Sequence, residues 1–295
     1  MEKVLEIQNL TKKFGKLTAV DDLSLSVVKG NIYGLLGPNG SGKSTTLGMI
    51  LNVVNPTLGK WKWFEKEHSV DVLKKVGAII ERPNFYPYLS AEKNLEIIAQ
   101  IKEVSYSKID EKLKLVGLLE RKKDKFQTFS LGMKQRLAIA SAMLNDPYVL
   151  ILDEPTNGLD PQGIIQIREI IQEIAANGTT IILASHLLDE VEKVCSHVVI
   201  LQKGKTLYSG KVDEMIVSYG YFELNAENDN LISVLQDLDF FSDIKKEGKH
   251  IKATLNQDVK AEKLNSLLFE KGIILNHLVK RKESLEQQFL QITQN

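Results

Sequence analysis

The sequence is poor in cysteine. Its 295 residues include one, Cys195. A single thiol cannot form an internal disulfide, so the fold must depend on a hydrophobic core, and the composition fits a reducing compartment. With 43% hydrophobic residues, the chain is long enough to bury one large core, or one domain and a smaller one.

Long apolar runs and an excess of one charge are also missing. No apolar run approaches the roughly 18 residues that span a bilayer. The N-terminal segment MEKVLEIQNL lacks the apolar core of a secretion signal. Lysine plus arginine and aspartate plus glutamate number 38 each, which gives no indication of a nucleic-acid or anionic-membrane surface. We therefore expect the protein to act at a membrane, if it does so, through a partner protein.

The segment GPNGSGKST at residues 37–45 follows a strand-like apolar run and precedes a helix-compatible one. It fits G-x-x-x-x-G-K-[ST], in which glycines let backbone N–H groups surround phosphate oxygens. Lys43 adds a positive charge and the Ser44 hydroxyl can bind Mg²⁺. The alternative is a flexible Gly/Ser turn, which this context disfavours. The segment predicts a site for a nucleoside triphosphate and Mg²⁺, formed by Gly37, Pro38, Asn39, Gly40, Ser41, Gly42, Lys43, Ser44, Thr45 and Thr46.

Two carboxylates end the apolar run at residues 149–152. Acids at the carboxyl end of a central parallel strand lie where α/β sheets bind ligands. We expect Asp153 to hold Mg²⁺ and Glu154 to orient or deprotonate the attacking water. By itself the pattern equally fits a solvated strand end before the turn at Pro155. The phosphate loop upstream favours the catalytic interpretation.

A second anion site is predicted at Ser130, which has the character of a helix N-cap before residues 131–145. Ser130 could simply cap that helix. The functional interpretation is that its hydroxyl, the Gly132 N–H and the helix dipole face a phosphate. A chain with both sites could pair head-to-tail with a second copy, each closing the nucleotide site of the other.

The pattern of predicted elements indicates an α/β fold. Strand-like runs alternate with helical segments between residues 31 and 184, which is typical of a parallel sheet with crossover helices. After roughly residue 210 the composition changes, and the order β-α-β-β-α-β suggests a small ferredoxin-like module. We predict a P-loop NTPase domain at residues 1–212 with an antiparallel β subdomain, from short strands at 4–7 and 23–27, and a helical subdomain at about 88–146. A small α+β domain follows at 213–295, with a last helix at 284–293.

Taken in order, the motifs resemble those of the ATPase subunit of an ABC transporter. They are the phosphate loop, a signature at residues 130–135, the strand ending in Asp153 and Glu154, a D-loop at 157–160 and a switch histidine. The resemblance covers about the first 210 residues. It implies ATP hydrolysis to ADP and phosphate coupled to transport, with Mg²⁺ as cofactor. It further implies that nucleotide contacts come from Phe14, Gln135, Asp160 and His186.

Two of these implied roles have plain alternatives. The resemblance places Phe14 where an aromatic ring stacks on adenine, but an aromatic beside a glycine turn could equally belong to the core. It gives His186 contact with the γ-phosphate and a part in positioning water. A lone histidine at a strand end is more often only a satisfied polar residue.

Two positions depart from the family pattern. Glu81 stands where glutamine is usual; it can still bind Mg²⁺ through oxygen, but it adds a negative charge beside the phosphates. Met133 stands where the signature normally has its second glycine. Both departures are similar to those of bacitracin-type and lantibiotic-immunity exporters, and residues 284–290 resemble the tail of drug-type ABC-2 ATPases. The implied cargo is a peptide antibiotic or another drug.

The aromatic loop at residues 82–89 carries Phe85, Tyr86 and Tyr88. These rings could pack locally against the helical segment, whereas the family has its docking surface for a membrane subunit here. The resemblance thus implies a homodimer, a separate permease that docks near Phe85–Tyr88, a cytoplasmic location on the inner face of the membrane, and no nucleic acid. Three rivals remain: a soluble ABC ATPase acting on ribosomes or DNA, a sensory or inactive module, and an ABC-2 exporter of lipid or polysaccharide.

Overall fold

The computed structural model describes residues 2–66, 70–81, 84–215, 219–227, 230–281 and 288–289. The chain divides into two compact units, Met1–Val212 and Asp213–Asn295. In the first unit the strands are β1 (Lys3–Phe14), β2 (Leu17–Val28), β3 (Ile32–Leu36), β4 (Leu58–Trp63), β5 (Val76–Ile79), β6 (Val149–Asp153), β7 (Thr180–Ser185), β8 (His197–Gln202) and β9 (Lys205–Lys211). Its helices are α1 (Lys43–Ile50), α2 (Val70–Leu73), α3 (Ala91–Ile101), α4 (Ser107–Leu115), α5 (Leu131–Ala142), α6 (Pro161–Ala176) and α7 (Leu188–Val194).

A six-stranded sheet in the order β5-β6-β7-β3-β8-β9 forms the centre of the first unit. The strands from β5 to β8 are parallel, and β9 runs antiparallel to β8. Every residue of β3, β6 and β7 is buried. Strands covered on both faces need continuous apolar runs, which is why the sequence revealed them. The carboxyl ends of β3, β6 and β7 therefore lie side by side.

An antiparallel sheet in the order β2-β1-β4 packs beside the central one. The prediction of two short strands here was wrong in extent. Both β1 and β2 are 12 residues long, and register shifts in their pairing interrupt the alternation of apolar and polar residues by which a long strand is recognised. Strand β4 was not predicted, yet its Trp63 is fully buried and donates from Nε1 to the Ile50 carbonyl at 2.8 Å.

Helices α3, α4 and α5 pack against one another in the region predicted to be helical. Their shared interior is apolar, with no exposure of Leu95, Leu113, Leu118 or Leu137. Ser90 caps α3 by accepting from the Lys93 N–H at 3.2 Å. This bundle presents the loop before α3 and the N-terminus of α5, the two segments of functional interest.

The second unit contains α8 (Val212–Met215, which begins at the last residue of the first unit), β10 (Tyr221–Ala226), α9 (Leu231–Gln236), β11 (Phe241–Glu247), β12 (His250–Leu255), α10 (Ala261–Glu270) and β13 (Leu275–Arg281). Its sheet is antiparallel in the order β11-β12-β10-β13. The two helices α9 and α10 cover one face, where Phe222, Leu224 and Leu264 form the core. From β10 to β13 the order of elements is β-α-β-β-α-β.

The predicted helix at residues 284–293 and the tail motif at 284–290 lie outside the described residues, except for Gln288 and Phe289. Within the described part of the chain, no helix has both the length and the apolar character needed to cross a bilayer.

Candidate nucleotide site

The phosphate loop joins β3 to α1 through backbone conformations that need glycine. Gly40 and Gly42 have φ of 80° and 108°. A Cβ on Gly42 would lie 2.5 Å from the Ala19 carbonyl oxygen, and one on Gly37 would lie 2.3 Å from that of Leu201. The backbones of β2 and β8 therefore pack directly against the loop at these glycines. The chain can follow this path only with glycine at these positions.

Lys43 is folded back over the loop that precedes it. Its side chain is 5% exposed, and its Nζ donates to the Gly37 carbonyl at 2.7 Å and the Pro38 carbonyl at 3.3 Å. Nearby, the Ser41 Oγ is buried without a hydrogen-bond partner. A buried ammonium beside an unsatisfied hydroxyl suits the oxygens of a phosphate group.

The other loop residues differ in exposure. Pro38, Asn39 and Gly40 are exposed at the tip, and Ser44 is exposed at the start of α1. The next two positions turn inward: Thr45 is half-buried, and Thr46 is buried and donates to the Gly42 carbonyl at 2.9 Å. The loop thus offers an open rim above a buried floor.

Asp153 lies at the end of β6 and is only 4% exposed. The alternative of a solvated strand end is therefore wrong. Burial raises the pKa of this carboxyl; the Glu154 and Glu81 carboxylates raise it further, while a hydrogen bond from Ser44 and the charge of Lys43 lower it. Its Oδ1 has no hydrogen-bond partner. Oxygen ligands of this kind fit Mg²⁺, and the candidate set consists of Ser44, Asp153 and Glu81.

Glu154 contacts two of the other predicted residues. Its Oε1 lies 3.4 Å from Lys43 Nζ, and its Oε2 lies 2.8 Å from His186 Nδ1. Adjacent strands cause this meeting, because Glu154 follows β6 and His186 follows β7. The contact between Glu154 and His186 was not predicted. Only the parallel pairing of β6 with β7 could have indicated it.

Ser130 and Gly132 line a cavity of about 280 Å³, and residues of the D-loop line it as well. Ser130 caps α5 by accepting from the Met133 N–H at 3.3 Å, so capping and cavity lining occur together. Asp160 is the N-cap of α6 and accepts from the Gly163 N–H at 2.9 Å. Gln135 does not line this cavity; it is buried within α5. The described lining is Ser130, Leu131, Gly132, Met133, Arg136, Gly158, Leu159, Asp160, Gln162, Gly163 and Gln166.

Phe14 ends β1 at the turn into β2 and is 51% exposed. The alternative of a core aromatic is therefore wrong. Lys12 Nζ lies 4.7 Å from the centre of the ring, a cation–π contact on one face. An exposed ring on the hairpin that carries Ala19 is consistent with a stacking surface.

The aromatic loop before α3 both packs locally and exposes rings. Phe85 is half-buried, with its ring 5.0 Å from that of Phe126 in an edge-on contact. Tyr86 and Tyr88 are 50% and 63% exposed. Arg82 and Pro83, which belong to the predicted segment, lie outside the described residues.

Asn94 was missed in the sequence, although it fixes the shape of this loop. It is 2% exposed on α3. Its Oδ1 accepts from the Tyr86 N–H at 2.8 Å, and its Nδ2 donates to the Tyr86 and Ser90 carbonyls at 3.1 and 3.0 Å. An asparagine on the apolar face of an otherwise amphipathic helix was the available signal.

Comparison with known proteins gives consistent matches. The family model described as ABC transporter matches residues 20–157. The chain is 40% identical to an uncharacterized ABC transporter ATP-binding protein of Bacillus subtilis, over 99% of this chain and 97% of that one. It is 38% identical to the bacitracin transport ATP-binding protein of Bacillus licheniformis, over 99% and 98%. It is 43% identical to the lantibiotic transport ATP-binding protein of Streptococcus pyogenes, over 71% and 92%.

Solved structures agree with this. The structure of an ATP-binding subunit of an ABC transporter, 30% identical, superposes with a TM-score of 0.65 and covers 72% of this chain and 91% of that one. A dimeric post-hydrolysis ATP-binding cassette bound to ADP and phosphate, 25% identical, gives a TM-score of 0.62 over 70% and 98%. The predicted α/β P-loop fold class is confirmed.

Proposed function

The chain belongs to the ABC transporter family as an ATP-hydrolysing subunit, and from that premise we propose that it energises export of, or immunity to, a peptide antibiotic through a separate membrane permease. The relative named for bacitracin transport supports this cargo, because the alignment runs through both units of the chain. The relative named for lantibiotic transport adds support over the first unit. Glu81 and Met133 favour the same subgroup.

The observation that carries the hydrolytic mechanism is Glu154 held between Lys43 and His186. In the proposed reaction, the oxygen of water attacks the γ-phosphorus and the bond from that phosphorus to the ADP oxygen breaks. Glu154 takes the proton from the water. Lys43 turns from Gly37 and Pro38 to the phosphate oxygens. His186 holds the carboxylate in place and contacts the γ-phosphate.

Mg²⁺ would be held by Ser44, Asp153 and Glu81. When bound, the ion neutralises charge on the phosphate oxygens. Asp153 suits this role because it is buried and its Oδ1 has no protein partner. Glu81 has a left-handed backbone, with φ of 61°, and it is exposed. It can turn an oxygen toward the ion without losing a buried contact.

Two chains would close head-to-tail on ATP. The Ser130 hydroxyl and Gly132 N–H of one chain would meet the γ-phosphate held by the other, with Asp160 beside them. The shared cavity of the signature and the D-loop supports this arrangement. A solved relative that binds ADP and phosphate as a dimer supports it as well. Phe14 would stack on the adenine, and Gln135, which ends the signature on α5, would support the nucleotide contact of Ser130 and Gly132.

The permease would dock on the loop that carries Phe85, Tyr86 and Tyr88. The buried Asn94 fixes the backbone at Tyr86, and the exposed ring of Tyr88 lies 6.0 Å from that of Tyr86. A surface held in this way is preorganised, which lowers the entropy cost of binding. Through this contact the chain would lie on the cytoplasmic face of the membrane. Closing on ATP and opening after hydrolysis would move the permease, because the two states differ in affinity for nucleotide.

A pull-down tests the transport assignment. Tagged Glu154→Gln chain, expressed in the native cell with ATP present, is recovered from gently solubilised membranes, and its companions are identified by mass spectrometry. We expect a polytopic membrane protein in stoichiometric amount. The matched control is a chain that also carries Lys43→Ala, which cannot hold ATP tightly and should lose companions that depend on the closed dimer.

The cargo is tested in the same strain. Deleting the gene should raise sensitivity to bacitracin or a lantibiotic, and the Glu154→Gln gene should fail to restore resistance. Recovery of ribosomes or nucleic acid would contradict the proposal in favour of a soluble ATPase. A permease recovered without any change in antibiotic sensitivity would favour a lipid or polysaccharide cargo.

A further inference from the structure

Three side chains of the second unit converge on the sheet face opposite its helices. They are Glu223 on β10, His250 on β12 and His277 on β13. Each offers one ligand atom, and these atoms all lie within 4.8 Å of one another. We propose that Glu223, His250 and His277 form a binding site for a divalent transition-metal ion, with Zn²⁺ as the best match.

The pairing of three strands creates this cluster. Strand β10 lies between β12 and β13. Asn225 pairs with His277 on one side, and the pairing of Leu224 with Ile251 brings His250 beside Asn225 on the other. The two imidazole rings meet across the middle strand, with their centroids 4.4 Å apart. The short side chain of Asn225 leaves room for them.

The ligand chemistry selects the metal. Two imidazoles and one carboxylate suit zinc and its neighbours in the first transition row, whereas Mg²⁺ and Ca²⁺ prefer oxygen alone. His277 Nε2 already lies 2.9 Å from Glu223 Oε1, so these two ligands need little movement. His250 Nδ1 is buried without a hydrogen-bond partner, which leaves the cluster one interaction short. A fourth position remains for water.

A second layer of contacts prepares the carboxylate. Arg281 Nε donates to Glu223 Oε2 at 2.7 Å and so leaves Oε1 directed at His277. The guanidinium also repels a cation, so we expect weaker binding than in a structural zinc site. Lys252, which pairs with Glu223 in register, points its Nζ at the Tyr221 ring, 4.5 Å from its centre.

Metal binding would add a direct link among three strands that already share ladder hydrogen bonds and a hydrophobic core. Because the site exists only when the sheet is formed, zinc should stabilise the second unit against unfolding. This proposal does not depend on the nucleotide mechanism, since all three ligands belong to the second unit.

The test is a titration of the full chain after treatment with chelator, with Mg²⁺ in excess and no nucleotide. Zn²⁺ binding is measured by calorimetry, and Co²⁺ serves as a coloured probe whose absorption reports nitrogen ligands. We expect one ion per chain. Glu223→Gln, His250→Gln and His277→Gln should each weaken binding at least ~100-fold, more than the loss of an outer-shell partner. The control Asp243→Asn removes a carboxylate from β11 of the same sheet and should leave binding unchanged.

Folding of each variant is checked by its thermal unfolding without metal, and the three variants test the site independently of one another. Zinc should raise the unfolding temperature of the wild type and of the control Asp243→Asn. It should not raise the unfolding temperature of any of the three ligand variants. No saturable binding, or a cobalt spectrum that all three variants retain, would overturn the proposal. The second result would mean an adventitious ion only.

Discussion

Glu154 has a backbone conformation that few side chains adopt, with φ of 50°. Its N–H donates to the Ala184 carbonyl at 2.9 Å, and its carbonyl accepts from the Asn157 N–H at 3.1 Å. Such a conformation costs about 1–3 kcal/mol and persists only where surrounding structure enforces it. In this conformation the carboxylate contacts Lys43 and His186.

The substitution Glu154→Gln should separate binding from hydrolysis. Glutamine keeps the shape of the side chain but cannot take a proton from water. We expect steady-state ATP turnover to fall by ~10²–10⁴-fold, the usual contribution of a general base, while ATP affinity is retained. Size-exclusion chromatography with ATP should show a trapped dimer. Glu169→Gln, an exposed substitution on α6, is the control. Near-normal turnover in Glu154→Gln would contradict the assigned role.

The buried charge of Asp153, which the proposed function requires, should lower the free energy of unfolding of the chain. Its folded-state pKa is raised above the ordinary value of 3.8, chiefly by burial, so folding disfavours the charged form. Asp153→Asn should therefore raise the free energy of unfolding of the nucleotide-free chain at neutral pH, while ATP turnover is lost.

The stabilisation by Asp153→Asn should depend on pH, because the pKa of Asp153 is raised in the folded state. The penalty on the carboxylate is fully present above the raised pKa and disappears as the pH falls through it toward 3.8. Urea unfolding at several pH values measures the difference between variant and wild type. An equal difference at neutral and acidic pH would show that charge is not the cause.

At the scale of elements, α3 controls the aromatic loop through one side chain. Asn94→Ala would remove both the acceptor for the Tyr86 N–H and the donor to its carbonyl. Unpaired polar groups of this kind cost about 1–3 kcal/mol each when buried. We expect faster amide exchange in residues 85–90 and weaker recovery of the permease, with ATP turnover of the isolated chain unchanged. Asn145→Ala, whose side chain contacts Lys74 and Lys102 instead, is the control.

Elements with one-dimensional signals could be predicted from the sequence. Strands β3, β6 and β7 are continuous apolar runs, and the phosphate loop has a fixed spacing. Strand β4 was missed although LGKWKW alternates lysines with two buried tryptophans, a period-two pattern that is typical of a strand with one buried face. The contact of Glu154 with His186 depends on which strands are neighbours. Likewise, Glu223, His250 and His277 are three unremarkable residues until sheet pairing brings them together.

At the scale of the whole molecule, two separate cores should behave as separate cooperative systems. Phe222 has no exposure and lies in the core of the second unit. Phe222→Ala should destabilise that unit by about 3–5 kcal/mol. ATP affinity should not change, because every predicted nucleotide contact belongs to the first unit. Calorimetry with and without nucleotide distinguishes the two transitions.

The control for this experiment is Phe269→Ala on α10, whose ring is 68% exposed. It removes the same atoms from the surface of the same unit and should change stability by less than about 0.5 kcal/mol. A loss of ATP affinity in Phe222→Ala but not in Phe269→Ala would show that the two units fold as one.

The order of strands in the central sheet also determines when the nucleotide site can form on a nascent chain. Strand β3, which leads into the phosphate loop, is complete at Leu36, yet the strands that flank it begin only at Thr180 and His197. At ribosomal speeds the delay is on the order of 10 s. During that interval the nascent chain carries the entire loop while β3 lacks both of its neighbours in the sheet. The ability to bind nucleotide must therefore arise late, when β7 and β8 have left the exit tunnel and have paired with β3, one on each side.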